Sequence, residues 1–194
     1  MPEVLRSRYA YNGRLIRLRI DTVRLDDGTK VEREIVEHRG AVAVVAITRQ
    51  RHVLLVSQYR PAVGETLLEV PAGTLESGED ISECALRELR EETGWEARHL
   101  EPLFTQYLAP GYSSEALHVF LALDLSPSTK GGDADEQIEV TSLPLRDVGS
   151  LILSGGIKDA KSIAALLAAE QYIVRIERER DPALERWYET GRLP

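Results

Sequence analysis

The chain has 194 residues, 43% of them hydrophobic, enough for one domain with a core of its own. A formal net charge of −8 argues against nucleic acid as a partner, and a single cysteine, Cys84, excludes an internal disulfide framework. No signal peptide or long apolar span is visible, so no membrane association is expected, and the cytoplasm is the expected location.

Residues 8–38 read as an antiparallel β meander. Asn12-Gly13 is a turn signal. After it, Leu15, Arg17, Arg19 and Asp21 alternate with Ile16, Leu18, Ile20 and Thr22. Asp26-Asp27-Gly28 marks a second hairpin, and VEREIVEH continues the alternation. Such a short meander is marginal alone and needs a surface to pack on. Residues 41–48, AVAVVAIT, read as a central strand buried on both faces. HVLLVSQYRP follows as a second strand, with Arg60 where it runs out before Pro61. In LLEVPAG, Glu69 precedes Pro71-Ala72-Gly73, an irregular stretch that leaves carbonyls free; glycine at 73 allows a close backbone approach.

The most informative stretch is Gly73 to Trp95, GTLESGEDISECALRELREETGW. Asp80 is a helix cap with Glu83 three residues on, and Gly94 is a left-handed stop. Ile81, Ala85 and Leu89 recur every four residues as one apolar stripe. Glu88 and Glu92 share another face, with Glu91 beside it. Like charges at this spacing destabilise a helix by a few tenths of a kcal/mol per pair, roughly. Arg87 and Arg90 offset part of this, and a divalent cation would offset more. Carboxylate oxygens on one helix face suit Mg2+ or Mn2+ rather than zinc. Taken alone, a charged run of this kind is usually a solvated surface. The fixed frame around it, from Gly73 through Glu79 and Arg87-Glu88-Leu89 to Glu91-Glu92, Gly94 and Trp95, makes chance an inadequate account.

This frame resembles the Nudix box, the signature of hydrolases that cleave a nucleoside diphosphate linked to another moiety. The resemblance implies an α/β/α sandwich with a mixed sheet, the box forming loop, helix and loop, and the N-terminal meander added to it. It implies Mg2+ or Mn2+ held by Glu88, Glu92 and the Ala72 carbonyl, with Glu91 taking part when more than one metal binds. Gly73, Glu79, Arg87 and Gly94 become structural positions of the box, Glu79 pairing with Arg87. By the same resemblance Arg60, in its QxR-P context, contacts substrate phosphate through a guanidinium fork. The meander resembles the N-terminal strands of ADP-ribose-type members, which build a homodimer and help cover the adenine. Glu69 either adds to the metal cluster or satisfies a backbone amide; the sequence leaves both open.

Beyond the box, Leu103–Tyr107 and Ala116–Leu123 read as strands joined through a Pro110-Gly111 turn. Pro110 lies sixteen residues after Gly94, in a PG-x-S-x-E context that looks like the ADP-ribose pyrophosphatase subfamily. Glu115 matches the glutamate of that motif, expected near the ribose or the phosphate. Residues 126–132, SPSTKGG, read as a loop followed by DADEQIEV. An acidic loop here resembles the one that supplies the catalytic base: Glu136 matches best, with Asp133 and Asp135 as alternates. Leu145–Leu153 reads as a helix, and a second follows Asp159 with Ile163, Leu166 and Leu167 on its packing face. The expected division is 1–39 for the meander, 40–170 for the hydrolase domain and 171–194 for a charged appendage without evident chemistry. His38, His52, His99 and His118 lack zinc-ligand spacing, and Cys84 lacks the surroundings of a nucleophile.

The expected activity is metal-dependent hydrolysis of the pyrophosphate bond of ADP-ribose, giving AMP and ribose 5-phosphate. The alternatives are the same chemistry on a nucleotide sugar or dinucleotide polyphosphate, or a nucleotide-binding module without catalysis.

Overall fold

A computed structural model of the chain describes residues 1–128 and 139–178. Three strands open it: β1 (Glu3–Asn12), β2 (Arg17–Arg24) and β3 (Lys30–Glu37), an antiparallel sheet in that order. The meander thus begins at Glu3 rather than at residue 8. Every residue of β1 is exposed, so neither core burial nor alternation announces it in the sequence. The β1–β2 turn closes with Gly13 N–H donating to the Ile16 carbonyl at 2.9 Å. That delays the start of β2 to Arg17, beyond the Leu15 where the sequence alternation begins.

The larger sheet has seven strands. β4 (Ala41–Ile47), β5 (His52–Arg60), β8 (Trp95–Tyr107), β9 (Ala116–Pro127) and β10 (Glu139–Pro144) lie in the order β10-β5-β4-β9-β8. β6 (Glu65–Glu69) pairs with β5, and the short β7 (Ala72–Thr74) with β4. β4 and β9 are parallel and the other named pairings antiparallel, so the sheet is mixed.

Period-two geometry sends alternate β4 residues to opposite faces, and both faces are covered. Val42, Val44 and Ala46 meet Cys84, Ala85 and Leu89 of the helix α1 (Ile81–Thr93). Ala43, Val45 and Ile47 meet Ala165, Leu166, Ala169 and Ile173 of α3 (Ala160–Arg178) and Val148 of the short α2 (Val148–Leu153). All seven residues of β4 are buried as a result. Helices on both sides of one mixed sheet make the α/β/α sandwich expected from the sequence.

The packing face of α3 differs in one residue from expectation. Leu166 is fully buried, but Leu167 is 42% exposed. Successive helical residues diverge by about 100°, so the two cannot share one narrow stripe. The α3 helix also runs unbroken through residue 171 to Arg178.

α1 is bounded by its own sequence. The Asp80 carboxylate accepts from the Ser82 and Glu83 amides at 2.8 and 3.2 Å. At the other end Gly94 adopts φ +72°, and its N–H donates to the Arg90 carbonyl at 2.8 Å. Trp95 then opens β8 and packs with the α1-side core.

Candidate active site

α1 lies with its apolar stripe in the core, which turns Glu88 and Glu92 toward the Ala72–Thr74 segment. The Glu92 carboxylate accepts from the Ala72 amide at 3.0 Å. Glu88 presses against Gly73 so closely that a β-carbon there would lie 2.0 Å from its carboxylate. Only glycine fits beside this carboxylate as it stands. Gly73→Ala should displace the Glu88 carboxylate while leaving the sheet intact. Misplacing a catalytic ligand by about 1 Å costs on the order of 100-fold. Kinetics beside a thermal melt check this: an unchanged kcat/KM would show that the close approach has no catalytic meaning.

Arg87 organises the remaining carboxylates. Its guanidinium donates to both oxygens of Glu79, at 2.7 and 3.0 Å, and also to Glu88 at 2.7 Å and Glu91 at 3.0 Å. The hydrogen bonds from Arg87 hold Glu79 down to about 2, well below an ordinary carboxylate. Arg87 itself is raised, first by its bonds to Glu79 and then by the charge of Glu88 and the hydrogen bonds to Glu91 and Glu88, against the opposing effect of burial. Burial pushes the Cys84 thiol up to about 12, so it holds its proton and is no nucleophile.

A second ionic group stands at the end of β6. Glu69 is 1% exposed. Arg60 grips it at two points, Nε to Oε1 at 2.7 Å and Nη2 to Oε2 at 2.8 Å. Lys161 of α3 donates to the same Oε2. Burial alone would raise the Glu69 pKa, but the Arg60 bonds and the Lys161 charge outweigh it and hold it below the usual value. Glu69 is therefore bound to two cationic side chains, the alternative that neither sequence reading proposed. Arg60 is in turn raised by its hydrogen bonds to Glu69, with the charges of Glu69, Glu92 and Asp159 adding to them. Glu92 thus links this group electrostatically to the box. Lys161, Asp159 and Ser162 were missed in the sequence. Their one signal was that a glutamate entering a core through EVP needs a cationic partner.

Pro110 and Glu115 occupy the connection from β8 to β9. Tyr112 and Ser113 amides turn back to the Ala109 carbonyl at 3.1 and 2.8 Å. The loop is tied to the end of β3: Val36 donates to the Tyr112 carbonyl at 2.7 Å and accepts from Ser114 at 3.0 Å. Glu115 lies 3.8 Å from His38 Nδ1. The bonds of this loop run to the meander, and none among the described residues joins it to the box carboxylates. Glu136, Asp133 and Asp135 lie outside the described residues.

Among the described residues no three Asp, Glu, His or Cys side chains converge on one point to hold an ion. The box carboxylates instead face protein donors, Arg87 and the Ala72 amide. The donor set still fits a hard divalent cation. It is all oxygen, it flanks the 72–73 backbone, and the missing β-carbon of Gly73 makes the room that the Glu88 carboxylate fills.

A model described as "NUDIX domain" matches residues 37–166, and "Nucleoside diphosphate sugar hydrolase N-terminal domain" matches residues 3–36. The chain is 41% identical over 158 residues to an ADP-ribose pyrophosphatase of Bacillus subtilis (strain 168), covering 80% of this chain and 85% of that one. It is 38% identical over 166 residues to a methanol dehydrogenase activator of Bacillus methanolicus, covering 84% and 90%. A crystal structure of an ADP compounds hydrolase superposes with a TM-score of 0.80 at 26% identity, over 89% of this chain and 94% of that one. No described helix is long and apolar enough to cross a membrane. The first of these matches takes in both the helix that carries the carboxylates and the sheet that supports it, and so the chain belongs to the Nudix family, as a pyrophosphohydrolase of nucleoside diphosphate derivatives that works with divalent metal ions.

Proposed function

We propose that the protein hydrolyses the pyrophosphate bond of ADP-ribose, releasing AMP and ribose 5-phosphate, with Mg2+ or Mn2+ as the ion. One observation carries the site assignment: Glu88 and Glu92 flank the Ala72–Gly73 backbone, and Arg60 lies within electrostatic reach of Glu92. The preference for ADP-ribose rests on the Pro110–Glu115 motif and on likeness to the Bacillus subtilis enzyme.

When bound, the ion neutralises diphosphate charge and makes a water more acidic. Glu88, Glu92 and the Ala72 carbonyl are the groups to hold it. Arg60 steadies the phosphates: Glu69 takes Nε and Nη2, and the side chain remains 38% exposed. Glu136 accepts a proton from the attacking water, with Asp133 or Asp135 in its place if it proves dispensable. Glu91 is held by Arg87 at 3.0 Å and serves when a further ion binds. Pro110 and Glu115 shape the ribose side. Gly73, Glu79, Arg87 and Gly94 keep the box in shape. Two copies of the chain associate through the meander, where β1 exposes Val4, Tyr9 and Tyr11, and the enzyme works in the cytoplasm.

The second reading is a nucleotide sugar as substrate, which the N-terminal family match favours. A panel of ADP-ribose, GDP-mannose and a dinucleotide polyphosphate, scored by kcat/KM with Mg2+ and with Mn2+, decides between them. ADP-ribose is expected to lead by at least about tenfold, since a polar site rejects a substrate that leaves its groups unpaired. A nucleotide sugar in first place would overturn the assignment.

A further inference from the structure

Glu69 is a fully buried carboxylate in a position to serve two elements at once. Through Oε1 and Oε2 it fixes the plane of the Arg60 guanidinium, at 2.7 and 2.8 Å. Through Oε2 it also receives Lys161 from the first turn of α3. Lys161 is only 13% exposed, and its Nζ donates to Asp159 at 3.0 Å as well. Asp159 holds the same turn in place by accepting from the Ser162 amide at 2.9 Å and the Ser162 hydroxyl at 2.5 Å. The circuit closes where Ser162 Oγ accepts from the Val70 amide at 2.9 Å. The start of α3 is thereby bonded to both Glu69 and Val70, immediately ahead of the Ala72–Gly73 segment that faces the box.

Arg60 and Lys161 bring two positive charges against the two negative ones of Glu69 and Asp159, so the group is balanced. What Lys161 adds is a second anchor on the Glu69 carboxylate, which fixes that carboxylate and, through it, the plane of the Arg60 guanidinium. The fork is also held before any substrate arrives, and an arginine fixed in its bound geometry loses less freedom on binding.

We propose that Lys161 and Glu69 are positioning residues for the substrate's diphosphate: Lys161 acts through Glu69 to hold Arg60 in the orientation that receives phosphate oxygens. Neither residue touches the substrate. The proposal rests on the assignment of Arg60 given above, and the test separates the two.

KM and kcat are measured with whichever panel compound is turned over fastest, in the wild type, Lys161→Met, Arg60→Met and the double variant, each with a thermal melt. Lys161→Met is expected to raise KM about tenfold while kcat falls much less, the pattern of lost binding shared by ground and transition states. In the Arg60→Met background the same change should leave KM within about twofold, because interacting residues are not additive. Lys161→Arg, which keeps the charge, should recover most of the wild-type KM and guards against loss of the fold. Equal effects of Lys161→Met in both backgrounds would overturn the proposal, as would an unchanged KM. If Arg60→Met itself leaves KM unaltered, the phosphate role of Arg60 fails first and this inference falls with it. If Arg60→Met raises KM and Lys161→Met does not, this inference alone fails.

Discussion

Glu92→Gln is expected to lower kcat/KM by about 1,000-fold, close to 4 kcal/mol of transition-state stabilisation, without unfolding the protein. Glutamine keeps an oxygen that accepts from the Ala72 amide, now at 3.0 Å, so the contact between α1 and the 72–73 segment survives. What goes is the negative charge. Glu88 and Glu92 share one face of α1, and removing one charge also relieves their repulsion. Thermal stability should therefore hold or rise slightly while turnover collapses. Mn2+ titrated into the variant should bind more weakly than to the wild type. Full activity in Glu92→Gln would mean that the carboxylates of this face do not hold the ion, and the proposed mechanism would go with them.

Arg87→Met is expected to do the reverse and strike stability first. Arg87 is 23% exposed and contacts Glu79, Glu88 and Glu91, of which Glu79 and Glu88 are 14% and 13% exposed. Without it three carboxylates face one another in a half-buried setting. Breaking such an arrangement by removing one partner costs about 3 kcal/mol. In a chain of this size that lowers Tm by about 6–12 °C. The pH dependence has a definite sign. Glu79 has a folded pKa of about 2, depressed from its ordinary 4.5 mainly by the hydrogen bonds from Arg87. The stability it contributes is complete above the ordinary value and drains away as pH falls through the folded one. Arg87 keeps its proton throughout. The Tm gap between wild type and Arg87→Met should thus be widest near neutral pH and narrow between about pH 4.5 and pH 2. A gap that stays constant across that range would show that Arg87 stabilises by packing alone.

The two variants separate functions that one short helix combines. Glu88 and Glu92 face the 72–73 backbone, while Glu79 and Glu91 complete the ring around Arg87. The spacing of a helix makes the shared face of Glu88 and Glu92 readable in the sequence, while the Glu79–Arg87 pair was expected from the resemblance to the Nudix box. Asp80 and Gly94 set the ends of α1, and Ile81, Ala85 and Leu89 say which side enters the core. β4 was legible for a different reason. An unbroken apolar run of that length, rich in valine, fits a strand covered on both faces.

Other features left no local trace. β1 is exposed along its whole length, so no burial pattern marks its first residues, and its register depends on β2. Leu166 and Leu167 look alike in the sequence, yet only the position of α3 on the sheet chooses between them. Glu69 is the clearest case. Its sequence neighbours supply no cation, and its partners come from Arg60 across the β5–β6 pairing and from Lys161 on a helix far along the chain.

By itself the sequence determined the ends and the buried face of α1 and the buried strand β4, because caps, helical spacing and apolar runs are local and can be read from near neighbours; the sandwich was expected from the resemblance of the Gly73–Trp95 stretch to the Nudix box. Only the tertiary structure decided what Glu69, Arg60 and Lys161 do together. A buried charge is satisfied by whichever opposite charge the fold brings within reach, and no short-range pattern encodes which one that is.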